Sequence, residues 1–591
     1  MRSPVTHFAQ HPSTLAHDIA ARAERHGERT AVAFTTGDET WSHMSYAELA
    51  GRAGAVAELL RSVRRTAARP QFVLVALPNG IDYVVSFYGC LIAGAVAVPF
   101  YPPAVLTSRT TRAFGERLRQ IWLDCRPSVF ILPAHLIELV RTELAPLTDT
   151  AQPPTTFVSA EDLPTVPASN DWASRVDARP GDLAMLQYTS GSTIAPKGVM
   201  VTHDNLVHNV KAFAATLHSA DGESVATWLP LFHDMGLIGA VLHPLAAGMT
   251  VHLTTPVAFA RRPFLWLDMA SQSRASIVMG PNFAYDLCVR SVTEEQRTTL
   301  DLSNLRAAVN GAEPVRHTTI EAFVKAYERY GFRPTAMVPG YGLAEATLYV
   351  SVADWRREPT LLEVSAARLR HDGVAVSADN EPTTVLASCG PDIADSETVI
   401  VDPIRLVECP DGTVGEVWVT GPSGATGYWN QPELSAQTFA AELPHDGRQF
   451  VRTGDLGVKI NNELYVVGRI KDMIIQRGVN HSPQDVEFTA ENAHPAVRSG
   501  GTAVFTVPAD DGERVVVLCE LDNYANRHEH ATVLARVRTA IAEEHGLEVG
   551  SLALVRKGQI PKTTSGKVRR RASAERWLAA EFDTVAAWPV H

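Results

Sequence analysis

The chain is 591 residues long, carries a net charge of −12, and is 45% hydrophobic and 20% charged. That length exceeds what one hydrophobic core serves, so two or more domains of ordinary globular composition are expected. No stretch is basic over a domain's length, which argues against nucleic acid as the main partner. The six cysteines, scattered without a C-x-x-C pair, fit a reduced cytoplasm and neither a disulfide framework nor a zinc site.

The first twenty residues contain no apolar core of the signal-peptide kind. Leu15, Ile19 and Ala23 then share one face of a first helix that stops at Gly27. A two-stranded segment is expected around Ala31–Trp41. Ser45 and Glu48 follow as a capping box for a helix carrying Leu49, Ala53, Val56 and Leu60. Phe72–Leu77 reads as a buried strand. The almost wholly apolar run Tyr83–Val105 is nearly long enough to span a membrane. Its Gly89, Gly94, Pro99 and Pro102-Pro103 divide it instead into a helix and a strand, completing a βαβ unit.

After a Pro/Thr/Asp-rich connection, Leu183–Tyr188 reads as a strand that runs into Thr189-Ser190-Gly191-Ser192-Thr193, with Pro196 and Lys197 beyond. Hydroxyls, a glycine and a lysine are the chemistry of a polyphosphate cradle. A P-loop requires Gly-Lys followed by Ser or Thr, and the order here is Lys197-Gly198-Val199, so that reading fails. Thr202 caps a helix carrying Leu206, Val210, Phe213 and Leu217. Trp228–Gly236 places His233 and Asp234 in an otherwise apolar loop. Ser276–Asn282, Leu305–Pro314 and Met337–Leu348 each read as a strand ending in a glycine-bearing turn, the last with Glu345 just past it. Such a series suits a ligand at the carboxyl edge of a parallel sheet.

Ser351–Ser388 is mixed and charged and reads as an inserted surface element. Asp411–Trp429 and Gln449–Val467 look antiparallel, and Gly468-Arg469-Ile470-Lys471-Asp472 follows. The chain then restarts as a small α+β unit with a strand at Arg514–Leu521 and a helix through Val533, Val537, Ala540 and Ile541. It ends on Pro561-Lys562-Thr563-Thr564-Ser565-Gly566-Lys567 and Arg569-Arg570-Arg571.

YTSGSTIAPKG, NGAEP, YGLAE, RTGDLG, GRIKD and PKTTSGK, in this order, resemble the motifs of the adenylate-forming enzymes, a match running from about Leu15 to about Arg571. Within that group LPLFHDMGLIG, GPNFAYDLC, GYGLAEATL and RGVNHSPQDVE resemble the fatty acyl-AMP ligases, whose insertion lies where Ser351–Ser388 lies. The resemblance implies an α/β fold: a large domain, residues 1–470, of mixed and parallel sheets packed with helices plus an antiparallel subdomain and an insertion near 355–380. A small mobile α+β domain, residues 471–591, would carry the catalytic lysine.

By the same resemblance Thr189, Ser190, Gly191, Ser192, Thr193 and Lys197 hold the β- and γ-phosphates of ATP. Asn310, Gly311, Ala312 and Glu313 form the adenine-contacting turn, and Tyr341 and Gly342 stack on adenine and line the site, with Leu343 and Ala344 continuing it. Glu345 helps hold Mg²⁺. Asp455 and Arg469 bind ribose, His233 stands at the acyl entrance, Asp472 is the hinge, and Lys567 reaches the α-phosphate and the attacking carboxylate. Met235, Ala240, Met279 and Phe283 are the expected acyl-pocket residues. Ala344 stands where many adenylating enzymes carry a hydroxyl, as it does in the fatty acyl-AMP ligases.

The implied reaction is two-step activation of a fatty acid through an acyl-adenylate. The second step goes to the phosphopantetheine arm of an acyl carrier protein acting in trans, since no carrier segment such as D-S-L in a small helical domain occurs in the chain. An ordinary acyl-CoA synthetase is the alternative. A non-catalytic adenylate-binding module would have no need of Lys567, and nothing marks a luciferase-type oxidation. Arg569–Arg571 is the expected docking patch for an acidic carrier.

Overall fold

The computed structural model describes residues 14–38, 40–64, 70–103, 106–147, 155–166, 175–176, 178–189, 196–378, 381–476, 479–509, 512–522, 527–563 and 567–589. By its internal contacts the chain divides into two compact units. One comprises Met1–Thr360, Ser388–Thr398 and Trp418–Thr453, and the other Leu361–Ala387, Val399–Val417 and Gly454–His591.

The first unit opens with helix α1 (Leu15–His26), strands β1 (Thr30–Phe34) and β2 (Ser42–Ser45), and helix α2 (Tyr46–Ser62). β1 fills residues 31–34 of the expected Ala31–Trp41 window, whereas β2 falls just beyond it. The capping box forms as expected: Ser45 Oγ accepts from the Glu48 N–H at 3.2 Å, and Glu48 Oε2 accepts from the Ser45 N–H at 2.8 Å. β3 (Phe72–Val75), α3 (Ile81–Ala93) and β4 (Val96–Pro99) are the expected βαβ unit, with β3 and β4 parallel. Every residue of α3 from Tyr83 to Ala93 is buried, which is why the run is apolar all round. No helix among the described residues is long and apolar enough to cross a membrane.

α4 (Ser108–Cys125), β5 (Val129–Leu132), α5 (Ala134–Leu144), β6 (Thr156–Ser159), β7 (Leu183–Thr189) and β8 (Lys197–Thr202) complete a six-stranded sheet of order β6-β5-β3-β4-β7-β8. It is parallel except for β8, which folds back on β7. Phe72, Val98, Phe114, Trp122, Phe130 and Leu186 form its core on one face. α6 (His203–Thr216) follows, capped by Thr202, whose hydroxyl accepts from the Asn205 N–H.

The second sheet adds β9 (Ser224–Thr227), β10 (Thr250–Leu253), β11 (Ile277–Pro281), β12 (Ala307–Gly311), β13 (Met337–Gly342) and β14 (Tyr349–Val352), in the order β14-β13-β12-β11-β9-β10-β1-β2. β9, β11, β12 and β13 run parallel, with Pro281 beside Gly311 and Asn310 beside Pro339. Their carboxyl ends therefore line one edge, as the glycine-bearing turns suggest. The Trp228–Gly236 loop is shorter than expected, since Met235–Leu242 forms a π-helix with the Asp234 side chain accepting from the Met235 N–H. π-turns of this kind concentrate at functional sites.

In the second unit, β15 (Leu361–Ser365) and β16 (Thr383–Ala387) form an antiparallel hairpin within the charged insertion. Val364 and Ala375 pack with Val458 and Tyr465, so the segment shares a small core with the strands Gln449–Ile460 and Glu463–Arg469. Strands Gln449–Ile460 and Glu463–Arg469 are antiparallel. A four-stranded sheet follows, of strands Val497–Ala509, Gly512–Leu521, Ser551–Val555 and Thr584–Trp588 in that order. Helix Arg527–His545 buries Val533, Val537 and Ile541 against Val517, Leu552 and Leu554. Burying each such side chain contributes about 1.5–3 kcal/mol.

Candidate active site

β7 and β8 hold the two ends of the predicted phosphate loop, with Thr189 directly opposite Lys197. Ser190, Gly191, Ser192 and Thr193 lie outside the described residues. Lys197 Nζ stands 4.9 Å from the centroid of the Tyr428 ring, and Tyr428 Oη donates to Glu345 Oε1 at 2.7 Å. A cation over an aromatic face, itself hydrogen-bonded to a carboxylate, ties the expected phosphate ligand to the expected metal ligand. The backbone reinforces this. The Ala425 N–H donates to Glu345 O, the Trp429 N–H to Gly198 O, and the Met200 N–H to Gly427 O. Residues 425–429 thus stitch β8 to the turn that carries Glu345.

Glu345 sits in a single 3₁₀ turn, Ala344–Ala346, directly after β13, and is half-buried. Tyr341, Leu343 and Ala344 are buried, and Gly342 approaches the chain so closely that a Cβ there would lie 1.8 Å from Leu348 O. No other residue type fits at Gly342.

Asn310 is the penultimate residue of β12, its side chain wholly buried and its Nδ2 donating to Asn282 Oδ1 at 3.3 Å. Its Oδ1 is a buried acceptor with no partner among the described residues. Buried acceptors are ordinarily paired, so this one fits a site that receives a donor from a ligand, as the exocyclic amine of adenine supplies. Ala312, two residues on, holds a left-handed φ of 65°, and Glu313 Oε1 accepts from the Phe283 N–H at 2.6 Å. Glu313 therefore secures the start of helix Asn282–Ser291 while standing in the turn expected to contact adenine.

His233 is half-buried with its ring 4.8 Å from Phe232, which in turn lies 4.9 Å from Tyr101. Gln187 of β7 donates to Phe232 O, fixing this loop to the strand that leads into the cradle. Of the acyl-pocket candidates, Met235, Ala240 and Met279 are buried, and Phe283 is half-buried with its ring 6.2 Å from Trp228.

In the second unit Asp455 and Arg469 pair across the hairpin, Arg469 Nε donating to Asp455 Oδ1 at 2.7 Å. Asp455 is nearly buried and Arg469 half-exposed. Asp472 ends a 3₁₀ turn, and its Oδ2 accepts from Arg570 Nη1 at 3.0 Å. Arg570 also grips Glu487 with Nε at 2.9 Å and Nη2 at 2.6 Å. Burial opposes its charge, but Glu487 and Asp472 outweigh it and hold the guanidinium above its ordinary pKa.

This corrects the reading of Arg569–Arg571 as one exposed docking patch. Arg570 faces inward because two carboxylates receive it, and Arg571 pairs with Glu575 one helical turn on. Lys567 is exposed, and its backbone closes a turn with Thr563, N to Oγ1 at 3.0 Å and O to N at 2.7 Å.

Among the described residues no group of three or more His, Cys, Asp or Glu forms a metal site. A hard cation at Glu345 would thus take most of its ligands from phosphate oxygens and water, the usual pattern for Mg²⁺ with a nucleotide.

The family model for AMP-binding enzymes matches residues 19–429, and that for the AMP domain of Disco-interacting protein 2-like proteins matches residues 471–587. The chain belongs to the AMP-binding enzyme family, within its fatty acyl-AMP ligase branch. It is 39% identical over 578 residues to the medium-chain-fatty-acid–[acyl-carrier-protein] ligase JamA of Moorena producens, covering 97% of this chain and 96% of that one. It is 35% identical to the long-chain-fatty-acid–AMP ligase FadD32 of Mycolicibacterium smegmatis, covering 97% and 95%. Among solved structures, the fatty acyl-adenylate ligase of L. pneumophila in complex with acyl adenylate and pyrophosphate is 35% identical, with a TM-score of 0.72 and 97% of each chain covered. A structure from work on fatty acyl-adenylate ligases of E. coli and L. pneumophila reaches a TM-score of 0.84 at 28% identity, covering 97% and 99%.

Proposed function

We propose that this protein uses ATP to convert a fatty acid to its acyl-adenylate, releasing pyrophosphate, and then passes the acyl group to the phosphopantetheine thiol of a separate acyl carrier protein. The observation that carries the reading is the Lys197–Tyr428–Glu345 chain beside a parallel-sheet edge where Asn310 presents a buried acceptor with no partner among the described residues. The similarity to fatty-acid–[acyl-carrier-protein] and fatty-acid–AMP ligases over nearly the whole chain supports it.

In this reading the fatty acid carboxylate attacks the α-phosphorus in line with departing pyrophosphate. Two anions meet while charge grows on the leaving group, so the barrier is mainly electrostatic. Lys197 offsets charge on the β- and γ-phosphates, and Lys567 does so at the α-phosphate and the attacking oxygen. Mg²⁺, when bound at Glu345, neutralises phosphate charge. Tyr428 orients the Glu345 carboxylate by donating to it. Asn310 Oδ1 accepts from the adenine amine, Tyr341 stacks on the ring, and Asp455 accepts from the ribose hydroxyls, with Arg469 holding its orientation. His233 guards the acyl entrance. Residues beyond Asp472 turn as a body, withdrawing Lys567 once the adenylate has formed and opening the way for the thiol.

The test is purified enzyme with ATP, Mg²⁺ and a fatty acid panel, with acyl-adenylate and pyrophosphate followed first. Coenzyme A or a holo-carrier is then added. Acyl-carrier product with little acyl-CoA is expected. Efficient acyl-CoA formation would replace the carrier with coenzyme A, and no pyrophosphate with any acid would overturn the reading.

A further inference from the structure

Tyr349 is absent from the motif-derived roles, yet it stands behind the acyl-pocket candidates. It begins β14, just past the Glu345 turn, and is buried. Its backbone is clamped on both sides by one side chain: Asn209 Nδ2 donates to Tyr349 O at 2.9 Å, and Asn209 Oδ1 accepts from the Tyr349 N–H at 3.1 Å. Its ring stacks on Phe213 of α6 with centroids 3.5 Å apart and planes 9° from parallel.

Held in this way, the ring projects its hydroxyl to within 3.4 Å of Met279 Sδ. Across the contact lies Gly239 of the π-helix. A Cβ at Gly239 would stand 2.6 Å from Tyr349 Oη and 3.1 Å from Met279 Sδ, so the three residues close on one another with no spare volume. Met279 comes from β11 and Gly239 is the neighbour of Ala240, so the two walls of the expected pocket converge where the phenol ends. Phe283, the remaining pocket candidate, is half-buried with its ring 6.2 Å from Trp228.

We infer that Tyr349 is the floor of the acyl pocket and sets the upper limit of chain length, so that the enzyme accepts straight-chain acids up to that limit and rejects longer ones. This rests on the function proposed above. A methylene too many in a filled apolar pocket costs about 1–3 kcal/mol, or about 10- to 200-fold in kcat/KM. The rigidity of the site matters here. A flexible floor would move aside, whereas the Asn209 clamp and the Phe213 stack give Tyr349 no second position at low cost.

The test is ATP-dependent pyrophosphate release by the full chain with saturated acids graded from short to very long. For the wild type kcat/KM should fall abruptly at one length. Tyr349→Leu and Tyr349→Ala should move that fall to longer acids and gain about 10-fold or more on the first acids the wild type rejects. Tyr349→Phe keeps the ring and should keep the fall where it was. Circular dichroism and thermal melting identify variants that fold, and Tyr349→Leu decides the matter if Tyr349→Ala does not. A folded Tyr349→Leu with an unmoved profile overturns the inference, as does a wild type showing no fall, or a Tyr349→Phe that shifts as far as Tyr349→Leu. If no acid at all is activated, the proposed reaction fails instead.

Discussion

Arg570→Met removes a guanidinium and keeps a stem of similar shape, and its effect can be worked from the geometry. Arg570 is 15% exposed, Glu487 10% and Asp472 23%, so all three charges are largely withdrawn from water. In the variant Glu487 keeps the Val504 N–H as a donor at 3.0 Å, and Asp472 loses its contact with the guanidinium. Breaking a buried pair by deleting one partner costs about 3–5 kcal/mol, because the stranded charge keeps its desolvation penalty. The second unit should lose that much stability.

A chain of two units does not unfold in one step, so the measurement is hydrogen exchange of strands Gly512–Leu521 and Ser551–Val555 under native conditions. The double variant Arg570→Met, Glu487→Met should recover most of the loss, since an apolar replacement of a whole ion pair is often neutral. A loss below about 1 kcal/mol for the single variant would place this pair with exposed surface ion pairs. A double variant no better than the single one would show that the cost lies in lost packing and not in the stranded carboxylate.

Lys567→Ala should lower acyl-adenylate formation by about 10²-fold or more while sparing acyl transfer from pre-made acyl-adenylate; equal losses in both would refute its assignment to the first step. Chelation of Mg²⁺ should stop pyrophosphate release, and Glu345→Gln should raise the Mg²⁺ concentration needed for half-maximal rate, an outcome read from metal titrations. His243 is buried, and burial pushes its imidazole down to about 4 against an ordinary 6.5. The unfolded chain therefore takes up this proton first, so stability is intact above pH 6.5, falls between there and pH 4, and is flat below, losing about 3 kcal/mol in all. His243→Gln should flatten that part of the pH profile of hydrogen-exchange stability in the first unit.

The elements that the sequence makes legible are those with local signals. Capping residues Ser45 and Thr202 mark helix starts, the glycines at the carboxyl ends of β11 to β13 mark strand ends, and the apolar α3 marks a buried helix. What stays hidden depends on distant partners. Tyr428 becomes part of the site only because Glu345, 83 residues away, receives its hydroxyl. Arg570 reads as one of three surface arginines until Glu487 and Asp472 turn it inward. The π-helix at Met235–Leu242 has no periodicity of its own to find in a run that is apolar throughout. In the insertion, the charged residues of Ser351–Ser388 mask a hairpin whose few apolar side chains find Val458 and Tyr465.

The backbone ladder from β8 through residues 425–429 to Glu345 has a consequence for anyone who would transplant parts of this enzyme. Gly198, Met200 and Glu345 are each bonded to that one segment, although more than 200 residues of sequence separate the cradle from it. A chimera that exchanges residues 183–202 for those of a relative, while retaining the native 425–429, would pair strands that never matured together. The tyrosine that aligns the carboxylate would be set at the wrong height, so the nucleotide and metal binding proposed above would weaken in concert. The smallest unit that can be swapped is accordingly discontinuous: the hairpin, the Glu345 turn and the 425–429 segment must travel together.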